Sequence, residues 1–103
     1  MNLIYFDEAK AELAEAIEWY YLQRPPSAAR FADLVADAIE VIVRTPNFYP
    51  LYELRSNPGN IRRVRIKGFP YIVIYEVSDD AVKIVAVAHM SQRPGYWMSR
   101  LKP

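Results

Sequence analysis

"IRRVRIKGFPYIVIYEVSDDAVKIVAVAH" (residues 61–89) decides how the chain folds, because the hydrophobic period changes within it. Before it, apolar residues recur at every third or fourth position; here they alternate or run on without a break. In IRRVRIKG, Val64 and Ile66 point one way while Arg63, Arg65 and Lys67 point the other, since successive side chains in a strand take opposite faces. FPYIVIYEV is apolar on both faces, as a central strand covered on both sides requires. Pro70 must stand at its start or at a bulge, because proline donates nothing to a ladder. SDD is a turn, and AVKIVAVAH is the last strand.

Moving toward the N-terminus, NFYPLYELRSNPGN (residues 47–60) is a loop with turn signals at Asn57, Pro58 and Gly59. Thr45-Pro46 closes a helix whose apolar stripe is Ala28, Phe31, Leu34, Val35, Ala38, Ile39 and Ile42, with Asp33, Asp37 and Glu40 on another face. RPP separates it from an earlier helix, and Ser27 is a suitable N-cap for the Ala28-to-Ile42 stripe. The earlier helix carries Ala9, Leu13, Ala16, Ile17 and Tyr20 at helical spacing and is expected to run to about Leu22. Asp7 is placed to cap it, and Glu8 to favour the positive end of its dipole. NLIYF is a short strand. The connector between the helices is short enough to force an antiparallel hairpin. The order is strand, helix, helix, strand, strand, strand: an α+β fold with an N-terminal strand and a helical hairpin packed on a C-terminal antiparallel sheet.

A chain of 103 residues builds one core, so a single domain spanning 1–103 is expected. Hydrophobic residues make up 52% and charged residues 24%, a globular composition. Zero cysteines exclude disulfides, thiolate metal sites and a cysteine nucleophile, and fit a reducing compartment. No leader pattern or bilayer-length apolar run is present, so a soluble cytoplasmic protein without membrane contact is the expectation. The net charge of +1 conceals a division. Residues 1–60 hold five bases against nine acids, a balance of −4, and residues 61–103 hold eight bases against three acids, a balance of +5. One part of the fold should therefore present a basic surface, unless the charges merely sort by element on a solvated surface.

Arg63, Arg65 and Lys67 are the clearest constellation: alternate positions set cations about 7 Å apart, close to the repeat of a nucleic-acid backbone. The competing reading is an edge strand protected from aggregation by charge. His89, the only histidine, ends an apolar strand and is the side chain best suited to moving protons near neutral pH; it can equally be a structural ring bonded to backbone. Arg93 can bind phosphate or carboxylate bidentately, or anchor a terminus. Pro94-Gly95 makes a turn that throws Tyr96 and Trp97 back toward the sheet, where large aromatics cap a core. No phosphate-cradling glycine loop, nucleophile elbow or metal-ligand spacing occurs, and no cofactor or metal is implied. An enzyme built from these parts would be a metal-independent ribonuclease using Arg63, Arg65, Lys67, His89 and Arg93, with the RNA 2′-hydroxyl as nucleophile.

FDEAKAELAEAIEWYY, AARFADLVADAIEVI, IRRVRIKGFPYIVIYEV and AVAHMSQRPGYW together resemble the ParE/RelE superfamily of toxins from type II toxin-antitoxin systems, in its ParE-like or plasmid-stabilisation branch. The most telling residues are Phe69-Pro70-Tyr71, Ile74-Tyr75, the run Ala86 to His89, Arg93-Pro94 and Tyr96-Trp97. The resemblance implies growth arrest held off by a cognate antitoxin in a heteromeric complex. ParE-like members act on DNA gyrase, and RelE-like members cleave mRNA in the ribosome. A degenerate toxin kept as an interaction module is a third reading. The antitoxin segment is expected to be acidic or amphipathic and to lie over the hairpin and the basic sheet. Trp19 and Tyr21 are candidates for an exposed apolar patch there, beside Arg63, Arg65, Lys67 and Arg93 as partner-binding residues, with His89, Tyr96 and Trp97 as structural closure.

Overall fold

A computed structural model describes residues 1–53 and 59–101; Asn57 and Pro58 of the expected turn lie outside them. The elements are β1 (Asn2–Tyr5), α1 (Asp7–Gln23), α2 (Pro25–Arg44), β2 (Asn60–Arg65), β3 (Tyr71–Val77), β4 (Ala81–His89) and a terminal 3₁₀ segment (Tyr96–Leu101). They form a helical hairpin on a four-stranded sheet of order β1-β4-β3-β2, the α+β fold expected from the sequence. The sheet is antiparallel through β4, β3 and β2, whereas β1 lies parallel to β4, with Asn2 opposite Ala81 and Tyr5 opposite Ile84. A parallel neighbour needs a crossover, and α1, α2, β2 and β3 together supply it.

Both expected helix caps are corrected. The Phe6 N–H is still bonded to the sheet at Ile84 O (3.1 Å), while the Phe6 carbonyl already accepts the first helical bond from Lys10 N (3.0 Å). The strand therefore turns into α1 at Phe6, and Asp7 becomes the first helical residue, with no side-chain cap bond. At the hairpin, Arg24 in extended conformation both ends α1 and begins α2. Pro25 and Pro26 open α2 rather than precede it, since their missing N–H groups and fixed φ suit the first turn, so Ser27 sits inside the helix.

Two cores lie on the two faces of the sheet. The main one packs Ala9, Ala16, Phe31, Val35, Ala38 and Ile42 of the helices on Val64, Ile66, Val73, Tyr75, Val82, Ile84 and Val87. Small residues on α1 let its backbone approach β4 closely. At one end Tyr20, Phe31, Phe69 and Tyr71 form a cluster of rings with centroids 5.0–6.2 Å apart, so the Phe69-Pro70-Tyr71 entry to β3 clamps the hairpin. The minor core, on the opposite face, gathers Ile61, Ile74, Val85, Ala86 and Ala88 under Trp97.

The outer edge of β2 is partly covered. Leu51 bridges to Arg62, Tyr52 N donates to Ile61 O (2.8 Å) and Arg63 N donates to Pro50 O (3.2 Å). Arg62 holds this loop from the helix side through Nη1 to Tyr49 O (2.6 Å) and Asn47 O (3.2 Å). The buried Tyr75 hydroxyl, its pKa pushed up to about 12 by burial, donates to Pro46 O at 2.7 Å.

Candidate functional site

The alternation of β2 divides the basic residues. Ile61 belongs to the minor core and Val64 and Ile66 to the main one, so Arg63 and Arg65 share the face turned away from the helices while Arg62 faces the helix side. Pairing extends the open face across the sheet: Arg63 stands opposite Ile74 and that opposite Ala86, and Arg65 opposite Ile72 and that opposite Ala88. Arg63 makes a loose ion pair with the exposed Glu53 (3.7 Å), and an Arg65 Nη2–H approaches Met90 Sδ at 3.8 Å. Lys67 is corrected: β2 ends at Arg65, and Lys67 lies in the exposed turn with Gly68, outside the strand's alternation. The row of three cations is thus a pair on the sheet and one in the turn.

His89 is not with that pair. On β4 it follows Val87 of the main core at a spacing of two, and its ring meets Tyr71 edge-on at 5.0 Å, on the helix side. Its Nδ1 accepts the Ser91 backbone N–H (3.0 Å) with the Ser91 hydroxyl at 2.7 Å, which assigns the proton of the neutral ring to Nε2. His89 does not join Arg63 and Arg65 because the register of β4, shifted between Ile74 and Tyr75, sets it opposite Tyr71 on the helix side. Arg93 is exposed and borders, with Tyr52, Ile72, His89, Pro94 and Trp97, a shallow cavity of about 130 Å³ at the end of the open face, so His89 at the strand end adjoins Arg93 there even though its ring packs on Tyr71.

The closing residues take separate positions. Trp97 is 1% exposed and meets Tyr52 edge-on at 5.2 Å over the open face. Tyr96 instead reaches around the β4 edge, donating its hydroxyl to Glu12 Oε2 at 2.6 Å. Arg100 grips the same carboxylate with two bonds of 2.9 Å and donates to Val85 O at 3.0 Å; Glu12 Oε1 also accepts the Val87 N–H at 3.0 Å. Four donors fill both oxygens. β1 ends at Tyr5, so the Glu12–Arg100 pair takes the place of its missing residues along the outer edge of β4. Burial pushes the Glu12 carboxyl up, but the Arg100, Tyr96 and Val87 hydrogen bonds and the Arg100 charge outweigh it and hold it below its usual value. Burial, then the same carboxylate, pushes the Tyr96 hydroxyl well up. Sequence reasoning missed Glu12 and Arg100. The available signal was Glu12's place three residues after Ala9 and four before Ala16, on a face that buries both.

Gly95 makes this route possible. It has φ +79, and an added Cβ would lie 3.3 Å from Met98 Sδ. Gly95→Ala should cost roughly 1–2 kcal/mol in chemical denaturation, because left-handed backbone penalises any Cβ; an unchanged midpoint would contradict the assigned turn.

Trp19 and Tyr21 are 57% and 60% exposed. Residues two apart on a helix do not share a face, so they do not form the single patch expected from the sequence. Trp19 leans toward Tyr71 and His89, lining a groove with them. Among the described residues no group of histidine, cysteine and carboxylate side chains could hold a metal, and no helix is long and apolar enough to cross a membrane.

Residues 3–94 match the family model described as "ParE toxin of type II toxin-antitoxin system, parDE". Toxin ParE2 of Mycobacterium tuberculosis, in strains H37Rv and CDC 1551, is 32% identical over 85 residues, covering 81% of this chain and 75% of that protein. The fold is similar to a chain of the chromosomal ParDE system from P. aeruginosa, with a TM-score of 0.73 at 16% identity over 88% of this chain and 97% of that one. The YoeB dimer from Staphylococcus aureus offers a second structural likeness, with a TM-score of 0.59 at 18% identity over 84% and 93%.

Proposed function

This chain belongs to the ParE toxin family of type II toxin-antitoxin systems, and from that membership we propose that it arrests bacterial growth in the cytoplasm by inhibiting DNA gyrase, held in check by a cognate antitoxin. The observation that carries the choice of target is that Arg63 and Arg65 stand on the open face of β2 while the His89 ring, which adjoins Arg93 alone of the candidate cations, packs edge-on against Tyr71 on the helix side. A ribonuclease acting through the 2′-hydroxyl needs proton-transfer groups and phosphate-binding cations around one scissile bond. Here the cations face outward on the open side, and His89 turns its ring to the helices with Nδ1 engaged by Ser91. What the open face offers is a docking surface: two arginines about 7 Å apart by strand geometry and Arg93 at its rim, suited to an anionic protein–DNA target.

The test is plasmid supercoiling by gyrase from the source organism, followed by detergent and protease to expose trapped breaks. The expected result is loss of supercoiling with linear plasmid, reversed by the antitoxin. Arg63→Glu with Arg65→Glu should weaken inhibition by about tenfold or more, since each reversal turns an attraction into a repulsion. His89→Ala, if folded, should retain it. Untouched gyrase activity together with cut message in a translating extract would overturn the proposal.

A further inference from the structure

Between the C-terminal half of α1 and the end of the β3–β4 ladder runs a groove that the gyrase reading does not use. It consists of two cavities of about 330 Å³ each, which share Trp19, Tyr71 and His89. Trp19 meets Tyr20 edge-on at 5.1 Å and is more than half exposed, and Tyr71 meets His89 edge-on at 5.0 Å. Glu15 stands at the rim one helical turn before Trp19, exposed and without an ion-pair partner among the described residues. Glu12, deeper in, is already satisfied by Arg100. Among the described residues, no lysine or arginine lines either cavity.

The chemistry of such a groove is selective. Aromatic faces carry negative potential and attract a cation, and a free carboxylate at the rim adds a directed partner. Burial pushes the Tyr71 hydroxyl up, and the nearby Glu15 charge adds to it. The surrounding helix agrees: α1 carries Asp7, Glu8, Glu12, Glu15 and Glu18 against Lys10 alone. An acidic segment would be repelled here, although the open face of the sheet would welcome one. Of the natural cations, guanidinium alone is planar and forked, able to stack on a ring while bonding a carboxylate through two N–H groups.

We propose that the groove bounded by Trp19, Tyr71, His89 and Glu15 receives an arginine side chain projected by the antitoxin segment that neutralises this toxin. The groove's preference stands on its own geometry; the identity of the occupant rests on the toxin reading above. The long apolar stem of arginine would lie along Trp19 and Tyr71 while its head meets Glu15.

Two measurements keep those dependences apart. The first titrates the isolated toxin with N-acetyl-arginine amide and, separately, with its neutral isostere N-acetyl-citrulline amide, following the Trp19 indole and His89 ring resonances. The arginine probe should bind saturably and about tenfold more tightly than citrulline, the size of a desolvated cation–π contact, and Glu15→Gln should erase most of that difference. Equal binding of the two probes, or none at Trp19, would overturn the cation site. A lysine probe as tight as arginine would overturn the guanidinium assignment. The second measurement pairs antitoxin arginines, replaced one at a time by glutamine, with Trp19→Ala and Glu15→Lys in the toxin. One arginine should lose its contribution when either toxin residue is changed, with the single variants weakening the complex tenfold or more. Tight antitoxin binding indifferent to Glu15→Lys and Trp19→Ala would overturn the occupant while leaving the toxin reading intact. Arginine binding with no antitoxin association at all would overturn the toxin reading and the occupant, leaving only the cation site.

Discussion

Trp97→Ala is expected to destabilise the protein by roughly 3–5 kcal/mol, the usual cost of emptying a buried aromatic site. Trp97 is the largest member of a core whose other buried residues are Ile61, Ile74, Val85, Ala86 and Ala88. Two of those are alanines, and none can expand to fill an indole-sized void. The neighbouring Tyr52 would lose its edge-on partner at 5.2 Å and with it the inner support of the loop paired to β2. The main core lies on the other face and keeps every contact. Denaturant titration should therefore show a large fall in midpoint, and hydrogen exchange should show the Tyr96–Leu101 segment and residues 50–53 opening ahead of the helices. Trp97→Phe should recover more than half of the loss, because much of the ring area is restored. A midpoint unchanged by the alanine would mean that this face of the sheet is not closed as described.

Glu12→Gln carries the second largest effect, and its signature is a dependence on pH. The side chains of Glu12 and Arg100 are 17% and 15% exposed, so removing the negative charge leaves a largely desolvated guanidinium facing a neutral amide. Breaking fully buried pairs costs several kcal/mol; with partial solvent access the expected loss is about 2–3 kcal/mol, or on the order of 10–20 °C in midpoint for a chain of this size. The glutamine oxygen can still accept from Val87 N, so the loss reports the ion pair more than the strand edge. The folded Glu12 carboxyl titrates below its usual value of 4.5. Its stabilisation is therefore complete above that pH and drains away as pH falls through the folded value. Wild type and Glu12→Gln should converge in stability on acidification below about pH 4.5 and stay apart at neutral pH. A gap of constant size across that range would remove the ion pair as its cause.

The parts of the fold legible in the sequence are those governed by local period. The Ala28-to-Ile42 stripe, the apolar run of β3 and the position of Pro70 just before Tyr71 each depend on neighbours a few residues away. The helix caps escape such a reading because a tertiary bond decides them: Phe6 is held by Ile84, far along the chain. The same holds for the site. Alternation along β2 is readable, and it correctly groups Arg63 with Arg65. That His89 belongs to the other face depends on the register of β4 and its irregularity opposite Ile74 and Tyr75, which no local pattern announces. Glu12 reads as one more surface carboxylate of an acidic helix until Arg100, 88 positions later, gives it a partner.

That separation also bears on when the chain can become a protein at all. β1 is the first element to be synthesised, yet the strand it pairs with begins at Ala81, and Tyr96 and Arg100 arrive later still. At ordinary translation speeds of about 5–20 residues per second, the helical hairpin spends several seconds on the ribosome with the Ala9 and Ala16 face uncovered. A chain cut short before β4 lacks the strand that pairs with both β1 and β3 and the terminal segment that closes the open side. Completion of the sheet therefore waits for the end of synthesis, when β4 becomes available to β1 and β3.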